Sequence, residues 1–480
     1  PTGVPLKMSA VVQALVDRLG RDAVLTDAQD MAPHEQDWRG RYRGDAVCVV
    51  LPRTTQDVSE IVSICSRYGH AIVPQGGNTG LSGGSVPATG STVVVSTRRM
   101  NRILSIDALE GSIVVEAGCV LAEIHAAAEA AGWQFPLRLG AEGSCQIGGN
   151  ISTNAGGTSV VRYGNCRDLV LGLEVVLPDG DVWDGLRSLR KNNSGYDLKH
   201  LFIGAEGTLG IVTKAALKLF PRPAETAAAW VAVASAEHAV RLASRARARL
   251  DTAITAIELM NAEQVRLVLK HVANTRRIID GDHPFFVLLE VSSMQADGSA
   301  ARNLEQFLAD CFAAEMIEDA VQAASLAQAA AFWEVRHGVA HANRSEGMGI
   351  TMDASVPVGR VSAFVDEADA AVRQHFPEAR PVIVSHLGDG NVHYIVMVSA
   401  DIWSGMEDKA GYAFKVRQSI NDIAVRHHGG SFSAEHGVGQ TLIPEVGRYK
   451  SRTELKLLHA VKNLFDPEGL FNPGKLLPPA

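Results

Sequence analysis

The chain has no run of roughly 18 consecutive apolar residues, the length a helix needs to span a bilayer. It shows no charged-then-apolar leader of the secretory kind. No block of lysine or arginine occurs, and the formal net charge is −8, which argues against nucleic acid or an anionic membrane as the main partner. The six cysteines (Cys48, Cys65, Cys119, Cys145, Cys166, Cys311) are scattered, with no C-x-x-C and no zinc-finger spacing. That pattern argues against a disulfide framework and fits a reducing compartment. These absences predict a cytoplasmic protein, free or peripheral to a membrane, with a small-molecule partner and compatible with a homodimer.

What is present is a globular composition, 46% hydrophobic and 20% charged, over 480 residues. That length implies two or three domains. The residues before Met8 are set aside as foreign to the fold. From Asp45 to about Pro223 the sequence is dense in glycine and short apolar strands. AVCVVLP, the helical QDVSEIVSICSRYG and AIVPQGG form an α/β unit, followed by strands at STVVVS, SIVVEAG, LEVVLPDGDVW and LGIVTKAALKLFP. After Pro223 alanine-rich helices such as EHAVRLASRARARL alternate with strands such as AAAWVAVA and FFVLLEVS. This predicts an antiparallel sheet with helices on one side. The tail ELKLLHAVKNLFDPEGLFNPGKLLP reads as a helix stopped by Asp-Pro.

Three glycine-rich segments lie in the first lobe. Pro74-Gln75-Gly76-Gly77-Asn78-Thr79-Gly80 follows a strand, with Gly83 and Gly84 close behind. Such a run can turn backbone N–H groups onto a phosphate or pyrophosphate. It is neither a Walker loop nor the G-x-G-x-x-G dinucleotide turn, and alone it reads equally well as an ordinary connection. The second run, Gly140 to Gly157, is harder to account for. So many small residues bury little side chain to offset chain ordering unless a large ligand packs on the backbone. Gly204-Ala-Glu206-Gly207-Thr-Leu-Gly210-Ile211 adds a third close approach. Together they favour an extended cofactor.

Further on, Asp389-Gly390 between two apolar strands is a two-residue hairpin signal. That register sets His386 directly opposite His393, with Cβ atoms about 4.5–5.5 Å apart, close enough to share a metal. A pair of polar strand histidines is the plainer account. Ser433-Ala434-Glu435-His436-Gly437-Val438-Gly439 shifts the balance by adding an acid and a histidine among flexible residues. Two histidines and a carboxylate also suit a non-haem iron oxygenase, although such an enzyme needs no large cofactor lobe. His427 and His428 read as surface groups.

PQGGNTGLSGGSVP, GSCQIGGNISTNAGG and FIGAEGTLGIVTKAALKLFP resemble the FAD domain of the vanillyl-alcohol oxidase type. SHLGDGNVHY, SAEHGVG and FDPEGLFNPGK resemble its D-lactate and D-2-hydroxyglutarate dehydrogenase branch. The likeness covers nearly the whole chain. It implies an α+β architecture: a two-subdomain FAD-binding domain over 8–223, an antiparallel-sheet substrate (cap) domain over 224–425, and a C-terminal segment over 426–480 completing the site.

The FAD contacts so implied are Pro74, Gln75, Gly76, Gly77, Asn78, Thr79, Gly80, Leu81, Gly84 and Ser85 in the first loop, with the pyrophosphate on Gly76 to Gly80. In the second they are Gly143, Ser144, Ile147, Gly148, Gly149, Asn150, Ser152, Thr153, Asn154, Gly156 and Gly157, near the isoalloxazine. Glu206, Gly210, Ile211 and Asn472 complete the set. Some relatives attach flavin through a histidine in the first loop; Asn78 stands in that neighbourhood, so non-covalent FAD is expected.

The resemblance further implies a divalent metal, Zn²⁺ before Mn²⁺, on His386, His393 and Glu435. His436 is the implied acid/base and Arg336 the binder of the substrate carboxylate. With flavin accepting the electrons, the metal need act only as a Lewis acid on the 2-hydroxyl while the C2 hydride passes to flavin N5. The electron acceptor is left open among quinone, cytochrome and electron-transferring flavoprotein.

The 2-hydroxyglutarate enzymes carry a threonine four residues after this arginine, a lysine fifteen after it, and an asparagine two after the second metal histidine. Here Ala340, Thr351 and Ile395 occupy those positions. Burying a second carboxylate without a cation is expensive unless another, such as Arg344, replaces it. A monocarboxylate such as D-lactate is therefore expected. D-2-hydroxyglutarate, a metal-free flavin oxidase acting on a sugar or alcohol, and a non-catalytic flavoprotein subunit are the alternatives.

Overall fold

The structure, a computed structural model, describes residues 9–88 and 90–479. The expected domain start at Met8 lies outside them. The chain divides into two compact units: one takes the described residues up to Ala155, Asn165–Pro221 and Glu435 onward, the other Gly156–Gly164 and Arg222–Ala434.

The described residues of the first unit form two main sheets and a two-stranded ribbon of Trp133–Gln134 with Phe220–Pro221. In the smaller main sheet, Ala46–Val50 and Ala71–Gln75 both run parallel to Thr92–Ser96, which lies between them. The connecting helix Thr55–Tyr68 starts on a Thr54/Asp57 capping box and stops at Gly69, whose left-handed φ of 67° favours glycine. Its buried residues Val58, Ile61, Val62 and Cys65 fall on one stripe of helical spacing. Burying such a side chain fully stabilises by about 1.5–3 kcal/mol. The larger sheet is antiparallel, in the order Ile103–Asp107, Ser112–Glu116, Ile211–Lys218, Val170–Val176, Val182–Gly185. The C-terminal helix Arg452–Phe465 ends before Asp466-Pro467, and the chain then returns to the small sheet. There Ile72 N–H donates to Leu470 O and Asn472 N–H to Ile72 O, both at 2.8 Å.

The second unit is built on a seven-stranded antiparallel sheet. Its order is Asp319–Gln322, Glu225–Val233, Phe285–Ser293, Ile254–Asn261, Arg380–His386, Asn391–Ser399, Gly347–Ser355. Helices cover both faces, not the one side expected. Ala227, Ala229, Val231 and Val233 pack with helices Ala236–Leu250, Ser299–Ala313, Val361–His375 and Lys409–Asp422. Ala228, Trp230 and Ala232 pack with helices Ala262–His271, Leu326–His337 and Val339–Glu346. The reason is legible in AAAWVAV, which is apolar at both parities and so leaves two faces to bury.

The hairpin register also differs from expectation. His386 pairs with Asn391 and Val384 with His393, so Leu387–Gly390 form a four-residue loop. Asp389 and Gly390 both donate N–H to His386 O at 3.2 Å, and the Asp389 carboxylate accepts Asn391 N–H at 3.0 Å. The aspartate side chain thus caps the second strand instead of leaving a tight turn. A slip of two residues preserves side-chain parity, so His386 and His393 still share a face, now as diagonal neighbours.

Gly390 has φ of 85°, and a Cβ there would lie 2.1 Å from Val356 O. A side chain at left-handed φ alone costs about 1–2 kcal/mol. Gly390→Ala should therefore destabilise this unit by about 2 kcal/mol or more. Thermal melting should show a drop of about 5 °C or more; an unchanged melt would contradict the packing described.

Candidate active site

In the first unit, strand Ala71–Gln75 runs into the first glycine loop. Asn78 takes φ of 53° and is pinned by its own side chain, whose Nδ2 donates to Pro33 O at 3.1 Å and Gln36 O at 2.8 Å. The backbone N–H groups of Gly77, Asn78, Thr79 and Gly80 donate to no backbone carbonyl among the described residues. Gly77 has no room for more: a Cβ would lie 2.2 Å from Ser144 O. A row of N–H donors awaiting acceptors, on a wall too tight for side chains, fits a pyrophosphate.

Pro74 to Gly80, Gly84, Ser85, Gly148 to Asn150, Ser152, Thr153, Glu206, Gly210 and Ile211 line one cleft, and His436 lines it with them. Asn150 brings a buried Oδ1 with no hydrogen-bond partner, a polar atom suited to a polar ligand. Leu81, Gly143, Ser144, Ile147, Asn154 and Asn472 are not among the lining residues. Ile147 is wholly buried, and Asn154 accepts Arg167 N–H at 2.9 Å. Asn472 fastens two cradle segments together, donating to Gly84 O at 2.8 Å and Glu206 O at 2.7 Å. Gly156 and Gly157 belong to the second unit. Thr97 and Gln146, which also line the cleft, hydrogen-bond to each other at 2.8 Å; Gln146 lies inside the second glycine-rich run and Thr97 outside all three.

Glu206 holds the loop that carries His436. Its two carboxylate oxygens accept Val438 N–H and Gly439 N–H, each at 2.7 Å. Burial pushes this carboxyl up, against the pull of the two donors and of the Lys475 charge. Ser82 Oγ donates to His436 O at 3.3 Å, and Gln440 N–H to Ser82 O at 2.9 Å, so the first glycine loop grips the same segment. Glu435 stands beside His436, Oε1 to Nε2 3.9 Å.

In the second unit, one end of one sheet face is polar. His386 and His393 lie with ring centroids 5.4 Å apart. Behind each stands a buried acid that sequence reasoning missed. Glu258, directly across the ladder from His386, accepts from its Nδ1 at 2.8 Å. Asp353, paired with His393, has Oδ1 3.4 Å from that ring's Nδ1. An acid hydrogen-bonded to Nδ1, as Glu258 is to His386, orients the imidazole and fixes the direction of its Nε2. Glu258 also accepts from Arg336 Nε at 2.6 Å. Burial alone would push the Glu258 carboxyl up, but His386 and Arg336 together outweigh it and hold it below the usual carboxylate range. Asp353 further accepts Ala434 N–H, at its carbonyl (2.9 Å) and at Oδ2 (3.2 Å); the next residue in the chain is Glu435. Thr351 pairs with Ile395 two positions along the same face. Ala340 and Arg344 are exposed on helix Val339–Glu346.

Residues 46–185 match the FAD binding domain family, and residues 222–476 the C-terminal domain of the FAD linked oxidases. An Arabidopsis thaliana protein named mitochondrial D-2-hydroxyglutarate dehydrogenase is 37% identical, over 96% of this chain and 80% of its own. A Schizosaccharomyces pombe protein, provisionally named a mitochondrial D-lactate dehydrogenase, is 36% identical over 97% of this chain and 89% of its own. Among solved structures, p-cresol methylhydroxylase superposes with a TM-score of 0.75 at 17% identity, covering 97% of this chain and 96% of that one. The chain belongs to the vanillyl-alcohol oxidase-type flavoproteins, in their FAD-dependent D-2-hydroxy acid dehydrogenase branch. It is an FAD-dependent oxidoreductase with the α+β fold expected. The expectation of a cytoplasmic protein is overturned, because these relatives are named as mitochondrial. Among the described residues no helix is long and apolar enough to cross a membrane.

Gly77→Ala should push the Ser144 segment away from the first loop and lower flavin content at least tenfold at equal protein concentration. Absorbance at the flavin band of the purified variant checks this, and full flavin occupancy would contradict the close approach at Gly77.

Proposed function

We propose that this protein oxidises a D-2-hydroxy acid bearing a single carboxylate, D-lactate or a longer apolar homologue, to the 2-oxo acid. The observation that carries the reading is His436 in the wall of the flavin cleft, held from behind by Glu206 through the two peptides that follow. A histidine fixed beside a redox cofactor can take the proton that an alcohol loses on oxidation. Arg336, its Nε engaged by Glu258, offers its two Nη groups to the substrate carboxylate. His386, His393 and Glu435 are the proposed ligands of a divalent metal, Zn²⁺ before Mn²⁺, and the acids behind the two rings support that assignment. When bound, FAD supplies the two-electron acceptor and the metal a Lewis acid for the 2-hydroxyl. FAD is proposed to be non-covalent, since Asn78 occupies the loop through which some relatives attach it.

The single-carboxylate preference rests on the Thr351–Ile395 pair. Ile395 is 4% exposed and sits in an apolar cluster with Val335, Val339 and Met397, surroundings that favour an apolar group over a distal carboxylate. The name of the Arabidopsis relative favours a second substrate, D-2-hydroxyglutarate, for which Arg344 is the candidate cation.

Anaerobic mixing with D- and L-2-hydroxy acids tests both. D-lactate or an apolar D-2-hydroxy acid should bleach the flavin with a kcat/KM at least tenfold above that of D-2-hydroxyglutarate; the reverse order would transfer the assignment to the second substrate. Acid precipitation should leave the flavin in the supernatant. His386→Ala should lose both bound metal and at least a hundredfold in flavin reduction rate while keeping FAD. Unchanged metal content in that variant would remove His386 from the ligand set.

A further inference from the structure

Glu258 is the most deeply enclosed charged group of the second unit, with no exposed surface, and it makes two contacts of different kinds. Oε1 accepts from His386 Nδ1 at 2.8 Å, and Oε2 from Arg336 Nε at 2.6 Å. Glu258 projects from strand Ile254–Asn261, His386 from the neighbouring strand in direct register, and Arg336 from the last turn of helix Leu326–His337. One planar carboxylate thus ties a helix residue to a strand residue.

Arginine can present either its Nε side or its Nη1/Nη2 end to a carboxylate. Here Nε is the only guanidinium nitrogen hydrogen-bonded among the described residues, so the end-on fork remains for a ligand. The same carboxylate holds the His386 ring at Nδ1 and so sets the direction in which its Nε2 points. A 2-hydroxy acid carries its carboxylate and hydroxyl on adjacent carbons. The groups that grip them must therefore keep a fixed spacing, and in a 3-hydroxy acid the hydroxyl stands one carbon too far.

We propose that Glu258 is a positioning residue that sets the distance between the carboxylate clamp and the hydroxyl-binding side, and thereby selects 2-hydroxy over 3-hydroxy acids. This rests on the reading of Arg336 and His386 given above. Replacing the carboxylate by an amide keeps the size but turns one of two acceptors into a donor. A glutamine that keeps its oxygen on Arg336 Nε turns its amide N–H towards His386, which can accept it only with the ring proton moved to Nε2, the tautomer that cannot bind a metal there; turned the other way, the amide faces Arg336 Nε with N–H against N–H. An aspartate keeps the charge but is one methylene too short to reach both.

The test uses the purified holoenzyme and compares wild type, Glu258→Gln and Glu258→Asp. For Glu258→Gln we expect KM for D-lactate to rise at least tenfold, with a smaller fall in kcat. The kcat/KM ratio of D-lactate over 3-hydroxypropanoate should drop at least tenfold. Zn²⁺ affinity by chelator competition should weaken about 10- to 100-fold, the usual effect of losing a carboxylate behind a metal histidine. Pyruvate, titrated against the flavin spectrum without turnover, should bind at least tenfold more weakly. Flavin content should be unchanged. Glu258→Asp should move every quantity in the same direction but less, and carries the test should the glutamine variant fail to fold.

A lowered melting temperature with KM, Zn²⁺ affinity, pyruvate binding and the 2- to 3-hydroxy ratio all unchanged would overturn the proposal in favour of a merely structural carboxylate. Wild-type flavin that no 2-hydroxy acid bleaches would instead defeat the underlying assignment of Arg336 and His386, so the two failures are distinguishable.

Discussion

A carboxylate stripped of all water must have its charge met by neighbours, and in the second unit that constraint falls on Glu258. Its partners Arg336 and His386 supply it from two elements. Removing either would leave a buried charge without full compensation, which is far more costly than the pair is stabilising. The arrangement therefore works as a lock more than as a source of stability. The helix Leu326–His337 and the strands Ile254–Asn261 and Arg380–His386 are held in one register because any slip would strand an ion. The apolar cluster around Trp230, Phe332 and Val335 then packs against a frame already indexed by charge.

Parity of the sheet does the rest. Glu258, His386, His393 and Asp353 occupy strands alternating between an apolar layer on one face and this polar end on the other. Residues of four different strands are thus brought to one surface by the two-residue repeat of the strand. In the first unit the organising device is different. Glycine removes side chains so that backbone donors line a cleft, and side chains such as Asn472 and Glu206 serve as fasteners behind it.

What was legible in the sequence follows from this difference. Glycine clusters betray a backbone-lined cleft because few other uses need so many, and Pro74 to Gly80 do line one. The pairing of His386 with His393 on one face was legible even though the turn was not, since parity survives a two-residue slip. The turn itself was misread because Asp389 spends its side chain on Asn391 N–H, a local choice that Asp-Gly does not announce. Glu258 and Asp353 left only a faint trace, single acids inside the otherwise apolar runs ITAIELMN and GMGITMDAS. Glu258 lies 128 residues from His386, beyond any local pattern. A lone acid in a strand whose neighbours are buried is the signal to look for.

The first unit is discontinuous in sequence: Ile72 in its small sheet exchanges hydrogen bonds with Leu470 and Asn472, and Asn472 ties Gly84 to Glu206. The cradle is thus closed by residues made almost four hundred positions after its first loop. During synthesis the intervening unit, whose sheet is complete by Ser399, can form while the cradle still lacks its last segment. Loop closure over so long a span is entropically costly and is met late. A nascent chain released early would carry a folded second unit beside a glycine cleft still open on one side.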